Sequence, residues 1–172
     1  ITKNKSWSYI RQTSFEEQNF VQSYVYKDNV FIIYPKSGCT KAGQIFSRLG
    51  ISRAKSREEI ENANKCILVC RNQLERLVST YFHKMCTERS SEDIKTIENV
   101  FGKSCSFEEF TDRIFSNEVF DAHVANFSDL HEYTSMIDID SLRSHFETVE
   151  VYEMKDLPLA IKSFGVTDPI AT

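Results

Sequence analysis

The sequence predicts an α/β domain, a central and mainly parallel sheet flanked by helices, on three observations. Val30-Phe31-Ile32-Ile33-Tyr34 is an unbroken run of apolar and aromatic residues, the pattern of a strand buried on both faces. Lys65-Cys66-Ile67-Leu68-Val69-Cys70 repeats it. Each run breaks into a short polar turn and then into residues at helical spacing. Strands that alternate with helices imply parallel pairing, and ligands of such sheets bind beyond the carboxyl ends of the strands.

The 172 residues suit one domain, residues 1–172, large enough for a proper core. A hydrophobic fraction of 41% and a charged fraction of 27% place the chain among ordinary globular proteins rather than disordered or fibrous ones. The formal net charge of −4 argues against a nucleic-acid partner, although a small basic site fits inside an acidic protein. No apolar run is long enough to cross a membrane, and no signal-peptide pattern is present. The chain opens at Ile1 rather than methionine, which leaves room for residues upstream. Cys39, Cys66, Cys70, Cys86 and Cys105 form no C-x-x-C pair and no zinc spacing with histidine. An odd, unframed set of thiols favours a reducing compartment and a cytoplasmic address. A domain trimmed from a longer chain of the Golgi lumen or secretory pathway is the other reading.

In chain order, residues 1–13 are polar with Trp7 and Tyr9, and read as a loosely attached arm. Residues 14–26 carry two signals. Ser14-Phe15-Glu16-Glu17 is a helix-capping pattern, whereas Tyr24-Val25-Tyr26 followed by Asp28-Asn29 is one arm of a hairpin into the Val30 strand. After the Val30 strand, Ala42, Ile45, Phe46 and Leu49 fall on one helix face, with Gly50 as its cap. Ser56-Arg57-Glu58-Glu59 is a capping box that opens a short helix. Past the Lys65 strand, Leu74, Leu77, Val78, Tyr81, Phe82 and Met85 predict a helix of three to four turns. Residues 86–105 read as a polar excursion with a short helix near Ser91–Val100. Ser106-Phe107-Glu108-Glu109 caps a helix to about Phe115. Glu147–Tyr152 alternates as a strand, and Glu153–Phe164 follows as a helix capped by Gly165.

Strand, tight turn and helix aim backbone N–H groups and the positive end of a helix dipole at an anion. In Pro35-Lys36-Ser37-Gly38-Cys39-Thr40-Lys41 the turn adds a lysine and a threonine hydroxyl. The motif G-x-x-x-x-G-K-[ST] is absent, because here the lysine precedes the glycine. The P-K-x-G-C-T order resembles the 5′-phosphosulfate loop of sulfotransferases that use 3′-phosphoadenosine-5′-phosphosulfate (PAPS). It is most similar to the carbohydrate sulfotransferases of the chondroitin and dermatan group. Arg71-Asn72-Gln73-Leu74-Glu75-Arg76-Leu77-Val78-Ser79 resembles the 3′-phosphate motif of the same family, with arginine and serine eight positions apart and Asn72-Gln73 replacing the usual Asp-Pro. Asp121-Ala122-His123-Val124 and the segment from Tyr152 to Val166 resemble later family segments, with valine where tryptophan is usual after the histidine.

The resemblance implies a P-loop-like sulfotransferase fold and transfer of a sulfuryl group from PAPS to a hydroxyl acceptor, such as a glycan, with no metal. It assigns Lys36 to the charge on the leaving phosphate. The backbone N–H groups of Ser37, Gly38, Cys39, Thr40 and Lys41, with the Thr40 hydroxyl, are assigned to the 5′-phosphate. Arg71 and Ser79 are assigned to the 3′-phosphate, where the arginine fork suits bidentate pairing. His123 is the candidate general base, since imidazole suits proton removal near neutral pH. His83 is expected to be solvated, and His131 and His145 have no supporting context. The competing readings are a kinase-like nucleotide enzyme and a non-catalytic domain that keeps the nucleotide pocket for a partner.

Overall fold

The computed structural model describes residues 12–13, 22–34, 36–86, 106–115, 136–137 and 139–167. Two compact units divide the chain: Thr13–Asn72 with Ile137–Thr172, and Ile1–Gln12 with Gln73–Met136.

The first unit carries a four-stranded mixed sheet. Its strands are β2 (Ser23–Tyr26), β3 (Asn29–Ile33), β4 (Lys65–Cys70) and β6 (Thr148–Glu153), in the order β2-β3-β4-β6. β3, β4 and β6 run parallel, while β2 pairs antiparallel with β3. The fold class is therefore α/β as the apolar runs predict, with an antiparallel outer strand. Residues 22–26 follow the hairpin signal, since Tyr26 pairs with Asn29 across the two-residue loop Lys27-Asp28. Residues 14–21 lie outside the described residues. β1 (Gln12–Thr13) pairs with β5 (Met136–Ile137) in a separate two-stranded sheet, so the last two residues of the expected N-terminal arm are strand.

Both faces of the large sheet are covered. On one face Phe31, Ile33, Ile67 and Val69 pack with α1 (Cys39–Arg48) and α6 (Leu157–Ser163). The Phe46 ring stands 4.6 Å from Tyr24, 5.0 Å from Phe31 and 5.3 Å from Phe164, centroid to centroid. Aromatic pairs at such spacing add about 0.5–1.5 kcal/mol each beyond burial, so this cluster fixes α1 on the sheet. On the other face Val30, Ile32, Tyr34, Cys66 and Leu68 pack with Ile60 of α2 (Arg57–Glu61) and Leu142 of α5 (Ile139–His145). Burial on both sides explains why β3 and β4 do not alternate in polarity. It also pushes the Cys66 thiol up to about 12, leaving it an inert core residue.

The caps follow the sequence closely. Ile51 N–H donates to Phe46 O at 2.8 Å and Gly50 N–H to Ser47 O at 3.1 Å, a Schellman end to α1 with Gly50 one residue past the Leu49 cap. Ser56 Oγ accepts from Glu59 N–H at 3.3 Å and starts α2. Glu153–Phe164 is not one helix, because a 3₁₀ turn at Met154–Asp156 precedes α6. α5 has no counterpart among the expected elements.

In the second unit, α3 (Gln73–Tyr81) gives way to a π-turn over Phe82–Cys86, which shortens the expected helix. Leu77 is buried, but Leu74 and Phe82 are exposed, so the expected apolar stripe is broken at both ends. α4 (Phe107–Phe115) begins with a reciprocal capping box: Glu109 N–H donates to Ser106 Oγ at 3.1 Å, and Ser106 N–H to a Glu109 carboxylate oxygen at 2.8 Å. The Tyr81 ring packs against Phe107 and Phe110 at 5.2 and 5.5 Å. The helix expected near Ser91–Val100 lies outside the described residues.

Candidate anion-binding turn at the sheet's carboxyl edge

The parallel register brings three strand ends to one edge. Ile33 pairs with Val69, and Cys70 with Glu153, so the turn after β3, the Arg71 position and the Met154 turn all leave the sheet together. At the first of these, Tyr34 N–H donates to Val69 O at 3.4 Å and Ser37 N–H closes back on Tyr34 O at 3.1 Å. Between them Lys36 adopts φ +64°, a left-handed conformation that is uncommon without glycine and costs about 1–2 kcal/mol. Gly38 follows at φ +95° as the cap of α1, with no side chain capping the helix. The first bond of α1 runs from Ala42 N–H to Gly38 O at 3.1 Å. The amides of Cys39, Thr40 and Lys41 precede it and so have no partner one turn back. A left-handed residue followed by helical ones makes a concave set of amides, the arrangement that receives anions.

Arg71 reaches into this turn. Its Nη1 donates to Lys36 O at 3.4 Å, a long contact that ties the second strand end to the first. Both residues are half-buried, whereas Thr40 and Lys41 are exposed. The Ser37 side chain is fully buried, and among the described residues its hydroxyl has no hydrogen-bond partner. Met154 and Leu157 form a wall behind the turn. A β-carbon on Gly38 would lie 3.4 Å from a side-chain carbon of each, at an already strained φ.

The expected site residues are thus placed unequally. Lys36, Ser37, Gly38, Cys39, Thr40, Lys41 and Arg71 belong to one edge of the first unit. The Ser37 amide is committed to the Tyr34 carbonyl at 3.1 Å, unlike the amides of Cys39, Thr40 and Lys41 at the start of α1. Ser79 lies half-buried on α3 and belongs to the second unit. His123 and His131 lie outside the described residues. His83 is exposed in the π-turn, and His145 ends α5 with its ring 5.1 Å from Phe146.

Two features were missed in the sequence. Met154 and Leu157 wall the turn, and only the β4–β6 register reveals it. Arg76 is fully buried although its position reads as a solvated helix residue. Its place within the arginine-serine motif was the available signal. Comparison with protein-family models, with curated proteins and with solved structures returns no match.

Proposed function

We propose that this chain is a PAPS-dependent sulfotransferase of P-loop-like fold, acting on a hydroxyl acceptor such as a glycan. The observation that carries the reading is the turn itself: a left-handed lysine, a left-handed glycine cap and three N-terminal amides of α1, with Arg71 bonded to the lysine carbonyl. The donor set suits a phosphate monoester or phosphosulfate. It offers amides, a hydroxyl and two cations, and among the described residues the buried Ser37 hydroxyl lacks an acceptor, a condition that costs about 1–3 kcal/mol.

PAPS supplies an activated sulfuryl group, transferred in line to the acceptor oxygen while the adenosine bisphosphate PAP departs. The protein's task is then positioning and charge stabilisation rather than covalent chemistry. The amides of Cys39, Thr40 and Lys41 hold the 5′-phosphate with the Thr40 hydroxyl. Lys36 neutralises the charge that grows on the departing phosphate oxygen. Arg71 supplies a guanidinium at the same edge for the 3′-phosphate. Ser79 and His123 enter through the motif resemblance alone, as second 3′-phosphate ligand and as the base that takes the acceptor proton.

The direct test is thermal unfolding with PAP and with ATP-Mg. A ligand at a hundredfold its dissociation constant adds about 2.7 kcal/mol of stability. Stabilisation by PAP well above that by ATP-Mg is the expected result. The reverse order would overturn the reading in favour of a kinase-like enzyme.

A further inference from the structure

A groove of about 930 Å³ runs along the β2 flank of α1, within the first unit. Thr40, Gly43, Gln44 and Ser47 form its helix side, and the segment Ile51–Arg53 closes its far end. Two features of the sequence make it. Gly43 stands mid-helix among the lining residues, at a cost of about 1 kcal/mol relative to alanine. A β-carbon there would come within 3.2 Å of the Tyr24 hydroxyl, closer than such contacts normally run. The Schellman turn then sends the chain back along the outer edge of the sheet. There Tyr24 and Arg53 form an antiparallel bridge, and Ala54 N–H donates to Ser23 O at 2.8 Å. That bridge sets Arg53 beside Tyr24.

The chemistry of the lining is one-sided. Arg48 and Arg53 contribute guanidinium groups, Gln44 an amide, and Thr40 and Ser47 hydroxyls, with no carboxylate among the described lining residues. The bias extends along the chain. From Asn29 to Arg57 there are six basic residues and no acidic one, in a protein of net charge −4. A concave surface of one sign raises the local concentration of the opposite charge. The volume lies within the range of about 300–1,000 Å³ typical of small-molecule sites. The lining mixes apolar surface from Tyr24 and Ile51 with these polar groups, so the charge bias, more than overall polarity, selects the ligand.

We propose that this groove binds a small polyhydroxylated organic anion, a sugar phosphate or a sugar acid. Arg53 is its charge contact, and Gln44 and Ser47 are its hydroxyl contacts. The proposal does not depend on the identity of the sulfuryl donor, because its charge contact Arg53 lies outside the phosphate turn, while Cys39 and Thr40 border both.

Calorimetric titration of the full chain with glucose 6-phosphate, glucuronate and glucose, at low salt, tests it. At least one of the two anions should bind about tenfold or more tightly than glucose, as a charge-assisted contact requires. The stronger of the two identifies the anionic group preferred. Arg53→Gln should weaken that binding about tenfold, and Ser47→Phe, at an exposed helix position, should abolish it by filling the groove. Lys36→Ala should leave it within about twofold, since Lys36 is not among the residues that line the groove, although it lowers sulfuryl transfer from PAPS. Equal binding of all three sugars, an unaffected Arg53→Gln protein, or a loss with Lys36→Ala as large as with Arg53→Gln would overturn the proposal. The last result would place the anion in the phosphate turn instead.

Discussion

Lys27 and Lys36 share a left-handed backbone, with φ of +55° and +64°, yet their surroundings differ in kind. Lys27 sits in the two-residue loop between the paired residues Tyr26 and Asn29, exposed, its amine 5.2 Å from the Tyr26 ring centre. Tight hairpins favour positive φ, and strand pairing returns the energy. Lys36 sits half-buried between a strand and a helix, where no hairpin needs closing, and its carbonyl accepts from Arg71. Equal backbone strain therefore has two meanings. In the hairpin it follows from local pairing. In the turn after β3 pairing does not account for it, and the remaining consequence is a row of amides and a lysine at the edge where three strands end. The turn after β3 is closed by its own Ser37 N–H to Tyr34 O bond, and a strained residue held there beside helix N-terminal amides is where a ligand is to be tested.

The largest effect should separate the two lysines outright. Lys36→Ala is expected to lower sulfuryl transfer from PAPS by about 10²-fold, the scale of losing one transition-state charge contact. PAP affinity should fall much less, and Lys27→Ala should change neither. Labelled-sulfate transfer to a panel of hydroxyl acceptors, beside PAP titration, reads both quantities. Equal losses in transfer and PAP binding would reduce Lys36 to a binding residue.

Next in size is Gly38→Ala. A β-carbon at φ +95° adds about 1–2 kcal/mol of strain and presses on Met154 and Leu157. Urea unfolding should show that loss, together with weaker PAP binding. An unchanged midpoint would mean that the turn relaxes freely and is no rigid cradle.

Smaller still is the relief of strain by glycine. Lys27→Gly and Lys36→Gly should each raise stability by about 0.5 kcal/mol, the relief of the left-handed residue offset by greater freedom of the unfolded chain. Only Lys36→Gly should cost transfer activity. A gain in stability with activity kept would break the comparison between the two turns.

The smallest effect concerns the outer strand. Lys65 Nζ lies 3.0 Å from a Glu150 carboxylate oxygen and donates to Ser163 Oγ at 2.7 Å, while Tyr152 and Ser163 donate to Glu150. Burial alone would raise the Glu150 carboxyl, but hydrogen bonds from Ser163, Lys65 and Tyr152, with the Lys65 charge, bring it below its ordinary value. A depressed carboxyl contributes stability that is present above the unfolded-state value, about 4.3, and is lost as pH falls through the folded one. Wild-type protein should therefore lose slightly more stability than Glu150→Gln between about pH 5 and pH 3. Parallel acid limbs would show that the network has no net linkage to folding.

Much of this molecule could be read residue by residue. The runs at Val30 and Lys65 became β3 and β4, and Ser56, Ser106, Gly50 and Gly165 mark helix ends because capping is settled within a few residues. Leu74 and Phe82 misled, since helical spacing cannot say that α3 ends in a π-turn. Arg76 stands inside the arginine-serine motif, yet a charged residue gives no local sign that its surroundings will bury it. Of the candidate site, the turn from Lys36 to Lys41 was legible from its glycine and its neighbouring strand and helix, whereas the commitment of the Ser37 amide to Tyr34 was not.

By itself the sequence determined the two buried central strands, the capped starts of α2 and α4, the glycine ends of α1 and α6, and that a basic turn joins the first buried strand to its helix. Periodicity, capping and turn chemistry act over a few residues, so no distant partner is needed to state them. Tertiary structure alone decided that Arg71 rests on the Lys36 carbonyl, that Met154 and Leu157 back the turn, and that Gly43 lies against the Tyr24 hydroxyl. Those outcomes depend on register and on which segments become neighbours, and such contacts join residues far apart in the chain.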